Sequence, residues 1–361
     1  MVTLAQRKSN KGEFYYMSKK SIKILSVIIL LAVITVVGGL KAMAVIKEKE
    51  EKTMFNNPIK KKGADPWIFY DNGYYYSCYS SGGDKIYVSR TKQIEKLEFA
   101  EEKLVWQAPI GTAYSKETWA PELHRINDKW YIYFAADDGD NKNHRMYCLE
   151  GIGDDPQGEY KFKGKLAVND DKWAIDGTVL NKDGQLYFIW SGWEGDVNVR
   201  QNVYIAKMSN PYTLTGERVL LSTPTEAWET IGTPNVNEGP QILMKGKNIH
   251  IVYSASGSWT DDYCLGLLSN ENGDIMDPKA WKKTGPVFSK TKNAYGPGHC
   301  SFSKSPDGKE DWIFYHANIY NSTGWAGRSI RAQKFTWKND YPVFGTPISI
   351  DEKIKPPSGQ N

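Results

Sequence analysis

Five short motifs place an ionisable side chain beside a small or turn-forming residue: Ala64-Asp65-Pro66, Trp119-Ala120-Pro121-Glu122, Ile175-Asp176-Gly177, Asn237-Glu238-Gly239-Pro240 and Gly296-Pro297-Gly298-His299. If Asp65, Glu122, Asp176, Glu238 and His299 meet in one cavity, mutual repulsion keeps some carboxyl groups protonated and leaves others ionised. That is what a general acid and a general base working at one pH require. Singly, each motif has a duller reading: Asp before Pro caps a turn, Asp-Gly makes one, and Glu-Gly is usually a solvated loop. His299 is either a satisfied core histidine or a neighbour of a bound cation and its water shell. Recurrence at intervals of roughly 60 residues tips the balance toward chemistry.

The elements that must position these residues repeat with them. Each motif leads into an apolar strand, a tight turn and a second strand dense in aromatic residues. The turns are Asp71-Asn72-Gly73, Asn127-Asp128, Lys182-Asp183-Gly184, Lys245-Gly246 and Pro306-Asp307-Gly308. Asn-Gly and Asp-Gly between apolar runs are strong hairpin signals, because a type I′ turn needs positive φ at both central residues. Further strand-like runs, such as Lys85-Ile86-Tyr87-Val88 and Val203-Tyr204-Ile205-Ala206, bring each unit to about four strands, and no amphipathic helical period competes. The expected fold is therefore all-β, a five-bladed β-propeller over residues 58–350, with the motifs gathered at one end of its axis.

Composition narrows the partners. Of the 46 Lys/Arg and 42 Asp/Glu, residues 1–44 hold seven and one, so the remainder carries 39 against 41, a net charge of −2. A slightly acidic body lacks the basic footprint that nucleic acid demands. Lys19, Lys20 and Lys23 precede an apolar run from Ile24 to Leu40, followed by Ala42-Met43-Ala44, which reads as a signal peptide over 1–44, with Met17 as an alternative start. An uncleaved membrane anchor is the competing reading; either way the body is secreted or cell-surface. Residues 45–57 read as a solvated spacer and 351–361 as a C-terminal tail. Cys78, Cys148, Cys264 and Cys300 form no C-x-x-C pair, and buried free thiols are the expected state.

The chain has 13 Trp and 22 Tyr. Trp67, Trp119, Trp173, Trp190, Trp193 and Trp259 fall near the motifs, where an indole face can stack on a sugar ring, although core packing explains more than half of such residues. Together the five motifs, in this order and spacing, resemble glycoside hydrolase family 43 over roughly residues 57–350. The resemblance implies an inverting glycosidase acting on arabinose- or xylose-containing plant polysaccharide. It implies Asp65 as general base, Glu238 as general acid, and Asp176 as the carboxylate that raises the acid's pKa. It further implies Trp119, Glu122, Trp190 and Arg328 as substrate contacts. No cofactor is expected for the chemistry, with a structural Ca2+ at the axis held by His299, largely through water; Cys300 stands where the family commonly has Asn. The segments around Trp119, His144 and Trp190 are most similar to the exo-acting α-L-arabinofuranosidase branch. β-Xylosidase, endo-arabinanase and a non-catalytic sugar-binding propeller remain as alternatives.

Overall fold

The computed structural model describes residues 54–360 throughout and residues 18–43 in part. Two units separate, Met1–Met54 and Phe55–Asn361. In the first, the described residues between 19 and 43 are helical, and among the described residues no helix is long and apolar enough to cross a membrane. The alternative start at Met17, the complete Ala42-Met43-Ala44 site and the spacer from 45 to 53 lie outside the described residues.

The second unit is built from twenty strands in five antiparallel groups of four consecutive strands, the third and fourth groups joined by a short parallel pairing of Arg200 and Gln201 with Asn235 and Val236. The innermost strands are β1 (Trp67–Asp71), β5 (Lys116–Ile126), β9 (Ala174–Lys182), β13 (Asn235–Lys245) and β17 (Tyr295–Lys304). Each pairs with the next strand: β2 (Tyr74–Ser81), β6 (Lys129–Asp137), β10 (Gln185–Gly192), β14 (Asn248–Ala255) and β18 (Asp311–Asn318). The hairpin turns have the backbone that their residues forecast: Asn72 and Gly73, Asn127 and Asp128, and Asp183 and Gly184 all have positive φ. The fold is the five-bladed β-propeller.

Five apolar clusters lie between neighbouring blades, one at every junction of the ring. Ile132, Phe134 and Leu149 meet Cys78, Ile86 and Val88 between blades one and two. Trp312, Phe314 and Ile330 meet Ile68 and Tyr75 between blades five and one. Each fully buried large side chain of this kind contributes roughly 1.5–3 kcal/mol, so the ring is held at five interfaces rather than by one central core. The four cysteines are buried and unpaired; Cys78 packs between blades one and two and Cys148 between blades two and three.

Closure of the ring recruits residues that sequence assigned to a spacer and a tail. Phe55 pairs with Ile354, and Lys60 with Ile330. The buried Asn57 side chain clamps a blade-five peptide from both sides, accepting from the Ala332 amide at 2.9 Å and donating to its carbonyl at 3.0 Å. Gln360 accepts from the Ile94 amide of blade one, while the Ser358 amide donates to Glu310 of blade five. The domain therefore begins at Phe55 and runs through the tail, because both ends cover the seam between the first and last blades.

Asn57→Ala should strand a buried N–H and C=O, each costing about 1–3 kcal/mol. A denaturant titration of the full chain is expected to show a lower unfolding midpoint at unchanged slope. An unchanged midpoint would mean that the seam does not depend on this clamp.

Candidate active site

Every inner strand is interrupted near its start. Asp65, Ala120, Asp176, Gly239 and His299 all have φ between 39° and 56°, and the ladders shift register beside the last four. A bulge of this kind re-aims one side chain out of the sheet alternation, and left-handed Asp or His is backbone strain of about 1–3 kcal/mol that a surrounding fold must hold. At Gly239 the requirement is steric as well: a Cβ there would come within 3.2 Å of the His299 ring. The repeated interruption turns Asp65, Asp176 and His299 toward one point, joined by Glu238 from the position before Gly239.

His299 is the common neighbour. Its Nδ1 lies 3.2 Å from Asp65 Oδ1, and one atom each of Asp176, Glu238 and His299 lie within 4.8 Å of one another. The Gly239 amide donates to Asp176 Oδ2 at 3.1 Å, and the Tyr263 hydroxyl donates to Glu238 Oε1 at 2.8 Å. Arg328 Nη1 stands 3.5 Å from Asp65 Oδ1. His316 Nδ1 lies 3.2 Å from the Asp65 amide nitrogen and 3.3 Å from Asp65 Oδ1. Burial pushes the His316 pKa down to about 4 and keeps the ring neutral.

The carboxyl groups are pulled apart in protonation. Burial raises the Glu238 pKa and the adjacent Asp176 charge raises it further, to about 8. Asp176 is raised by burial as well, to about 6, with His299 opposing. Burial acts in the same direction on Asp65, but His299 and Arg328 overcome it and hold the group well below the usual carboxylate range. Burial opposes charge on His299; Asp65, Asp176 and Glu238 outweigh it and raise its pKa. At neutral pH one carboxylate is ionised and another, facing the same space, keeps its proton.

A cavity of about 360 Å3 opens over these four groups and is walled by Trp119, Trp173, Trp259, Trp325, Asn141, Asn198, Gln201 and Arg328. A neighbouring one of about 450 Å3 shares Asp65, Trp119, Ala120 and Arg328 with it. Trp119 is 37% exposed and stacks on His144 with centroids 4.0 Å apart. Trp173 stacks on Trp193 at 4.8 Å, and Trp325 meets Trp259 edge-on.

Two expected substrate contacts lie elsewhere. Glu122 sits two residues past the left-handed Ala120, so it points down the channel. There it is buried, accepts from Gln241 and contacts His124 Nε2 at 2.8 Å. Trp190 occupies β10, whose alternation sends it into the core between blades two and three beside Phe188 and Tyr204. Trp67 is likewise structural, donating to the Leu123 carbonyl. Sequence reasoning missed His316, Tyr263 and Trp325. The one available signal was His316, a polar residue inside the apolar run Trp312-Ile313-Phe314-Tyr315.

The resemblance implies an axial calcium beside Asp176 and Glu238, held by His299 largely through water. Calcium takes six to eight oxygen ligands. Here one oxygen of each carboxylate already accepts a hydrogen bond, and His299 Nδ1 faces the Asp65 carboxylate. These side chains leave few free oxygens, so a calcium ion here would draw most of its shell from water, and no step below uses one.

Comparison with known proteins agrees with this architecture. The family model described as glycosyl hydrolases family 43 matches residues 55–342. An extracellular exo-α-(1→5)-L-arabinofuranosidase of Streptomyces avermitilis is 36% identical over 310 residues, 82% of this chain and 64% of that protein, so this chain spans less than two thirds of that relative's length. One of the same description from Streptomyces chartreusis is 35% identical over 74% of this chain and 83% of its own. The crystal structure of an α-L-arabinofuranosidase from Lactobacillus brevis superposes with a TM-score of 0.77 at 34% identity, covering 82% of this chain and 98% of that one. The chain belongs to the glycosyl hydrolases of family 43.

Proposed function

We propose that this glycosidase releases terminal α-L-arabinofuranose from arabinan or arabino-oligosaccharides with inversion at the anomeric carbon. The observation that carries the reading is the pair Asp65 and Glu238, held in opposite protonation states around one cavity. The arabinofuranosidase names of the relatives at 34–36% identity support the choice of sugar. A non-catalytic sugar-binding propeller would have no use for a buried carboxylic acid kept protonated at neutral pH.

In the proposed reaction, Asp65 takes a proton from a water that attacks the anomeric carbon opposite the leaving group. Glu238 gives its proton to the departing glycosidic oxygen. Tyr263 already donates to Oε1, so the transferable proton sits on Oε2. Asp176, fixed by the Gly239 amide, keeps Glu238 protonated by charge repulsion. Arg328 keeps Asp65 ionised and reaches into the cavity, where it is placed to bond sugar hydroxyls. Trp119, Trp259 and Trp325 offer faces for the ring. The basic and apolar N-terminal run, with the extracellular relatives, supports action outside the cell.

Asp65→Asn and Glu238→Gln should each lower kcat on arabino-oligosaccharides by about 10²–10⁴-fold while the far-UV CD spectrum is retained. NMR of the first product should show the β anomer of free arabinose. Activity persisting within tenfold in both variants, or a first product that retains the α configuration, would overturn the reading.

The pH profile gives a separate check. Glu238 works as acid only while protonated, so kcat/KM should fall as pH rises through about 8. Asp65 adds no acidic limb in the usual carboxylate range, because its pKa lies below it. Removing the neighbouring charge with Asp176→Asn lowers the Glu238 pKa, so the alkaline limb should move to lower pH. A limb that stays in place would assign it to another group.

A further inference from the structure

Behind the wall of the cavity lies a second knot of metal-ligating side chains. Glu117 of β5, Asp137 at the end of β6 and His144, just before β7 (Arg145–Gly151), each present a donor atom within 4.8 Å of the others. The Asp137 and His144 side chains are fully buried. Their contacts are those of co-ligands rather than of a hydrogen-bonded pair. His144 Nε2 lies 3.0 Å from the Glu117 carbonyl oxygen, which only accepts, so Nε2 carries the ring proton. In the neutral ring Nδ1 is then a lone pair.

That lone pair stands 2.8 Å from Asp137 Oδ2, acceptor against acceptor, and neither buried atom has a hydrogen-bond partner. The other oxygen of Asp137, by contrast, accepts from the Gly139 amide at 2.8 Å. A doubly protonated ring would match the distance, but its N–H is not aimed along the contact. Two ligand atoms each about 2.0–2.2 Å from one transition metal sit about 2.8–3.1 Å apart at the right angle of an octahedral shell, and about 3.3–3.6 Å apart in a tetrahedral one. Charge points the same way. Among the described residues neither Glu117 nor Asp137 forms an ion pair with Lys or Arg, and an uncompensated carboxylate as fully buried as Asp137 is costly.

We propose that Glu117, Asp137 and His144 bind a divalent transition-metal ion of the zinc or manganese class, which braces the Trp119 wall of the sugar cavity. One imidazole nitrogen with two carboxylates suits these ions, with water completing the shell, better than it suits calcium. The ion would tie the start of β5 to the segment between β6 and β7. The His144 ring stacks under Trp119, and Asn141 of the same segment lines the cavity and accepts from Trp173 Nε1 at 2.8 Å. The site is separate from the axial cluster and does not depend on which sugar is cut.

Calorimetric titration of the EDTA-stripped full chain with ZnCl2, MnCl2 and CaCl2 in turn tests this. One equivalent of Zn2+ or Mn2+ should bind more tightly than Ca2+. Glu117→Gln, at the least buried of the three positions, should weaken binding at least tenfold and leave the metal-free unfolding midpoint unchanged; Asp137→Asn should weaken it as much. Glu238→Gln, in the axial cluster, should bind as the parent does. No binding of Zn2+ or Mn2+, tighter binding of Ca2+, or binding lost in Glu238→Gln but kept in Glu117→Gln would overturn the proposal.

Discussion

One buried imidazole shared by three carboxyl groups sets the terms for the rest of the molecule. Asp65, Asp176, Glu238 and His299 come from four different blades; the last three are buried, and Asp65 beside them is partly exposed at the cavity. In such a place not every carboxyl group keeps its charge. The charge settles on Asp65, which has His299 and Arg328 beside it. The remaining proton demand falls on the adjacent Asp176 and Glu238. Holding this arrangement needs left-handed backbone at Asp65, Asp176 and His299, a strain of several kcal/mol in sum. The five apolar junctions between blades offset it, and they leave the strands no freedom to relax.

Register within the inner strands decides which residues share in this chemistry. In the second and fourth blades the left-handed position faces the cavity, and the side chain two places on turns away beneath it. Glu122 is two past Ala120 and Gln241 two past Gly239, and these two bond to each other below the floor. The motif Trp-Ala-Pro-Glu therefore has its equivalent residue at Ala120, a side chain with no chemistry, and its carboxylate belongs to the layer beneath. An acidic residue in a repeat is not enough; it must occupy the interrupted position or the one before it.

The fold was readable from sequence because its signals are local. Asn72-Gly73 and Asp183-Gly184 specify hairpins by their own backbone preferences, and a repeated hairpin implies repeated blades. Asp65, Asp176, Glu238 and His299 were readable because the repeat itself marks them. What sequence hid depends on contacts between residues far apart in the chain. Tyr263 bonds Glu238, His316 lies against the Asp65 amide, and Asn57 clamps Ala332. Trp190 and Trp119 look alike as aromatic residues near a motif, and only the strand alternation separates the core residue from the cavity wall.

The same geometry divides the chemistry from the choice of substrate. Asp65, Asp176 and Glu238 sit on or at the start of inner strands, fixed between packed blades. Of the walls, Trp259, Trp325 and Asn198 lie on segments between strands, and Trp325 is 58% exposed. Wall residues can therefore change without moving Glu238 against Asp176 or Asp65 against Arg328. A scaffold arranged in this way holds the carboxyl cluster constant while the surrounding segments shape the cavity above it. This is why the catalytic reading rests on backbone register and burial, and the choice of sugar rests on the cavity wall and on the relatives.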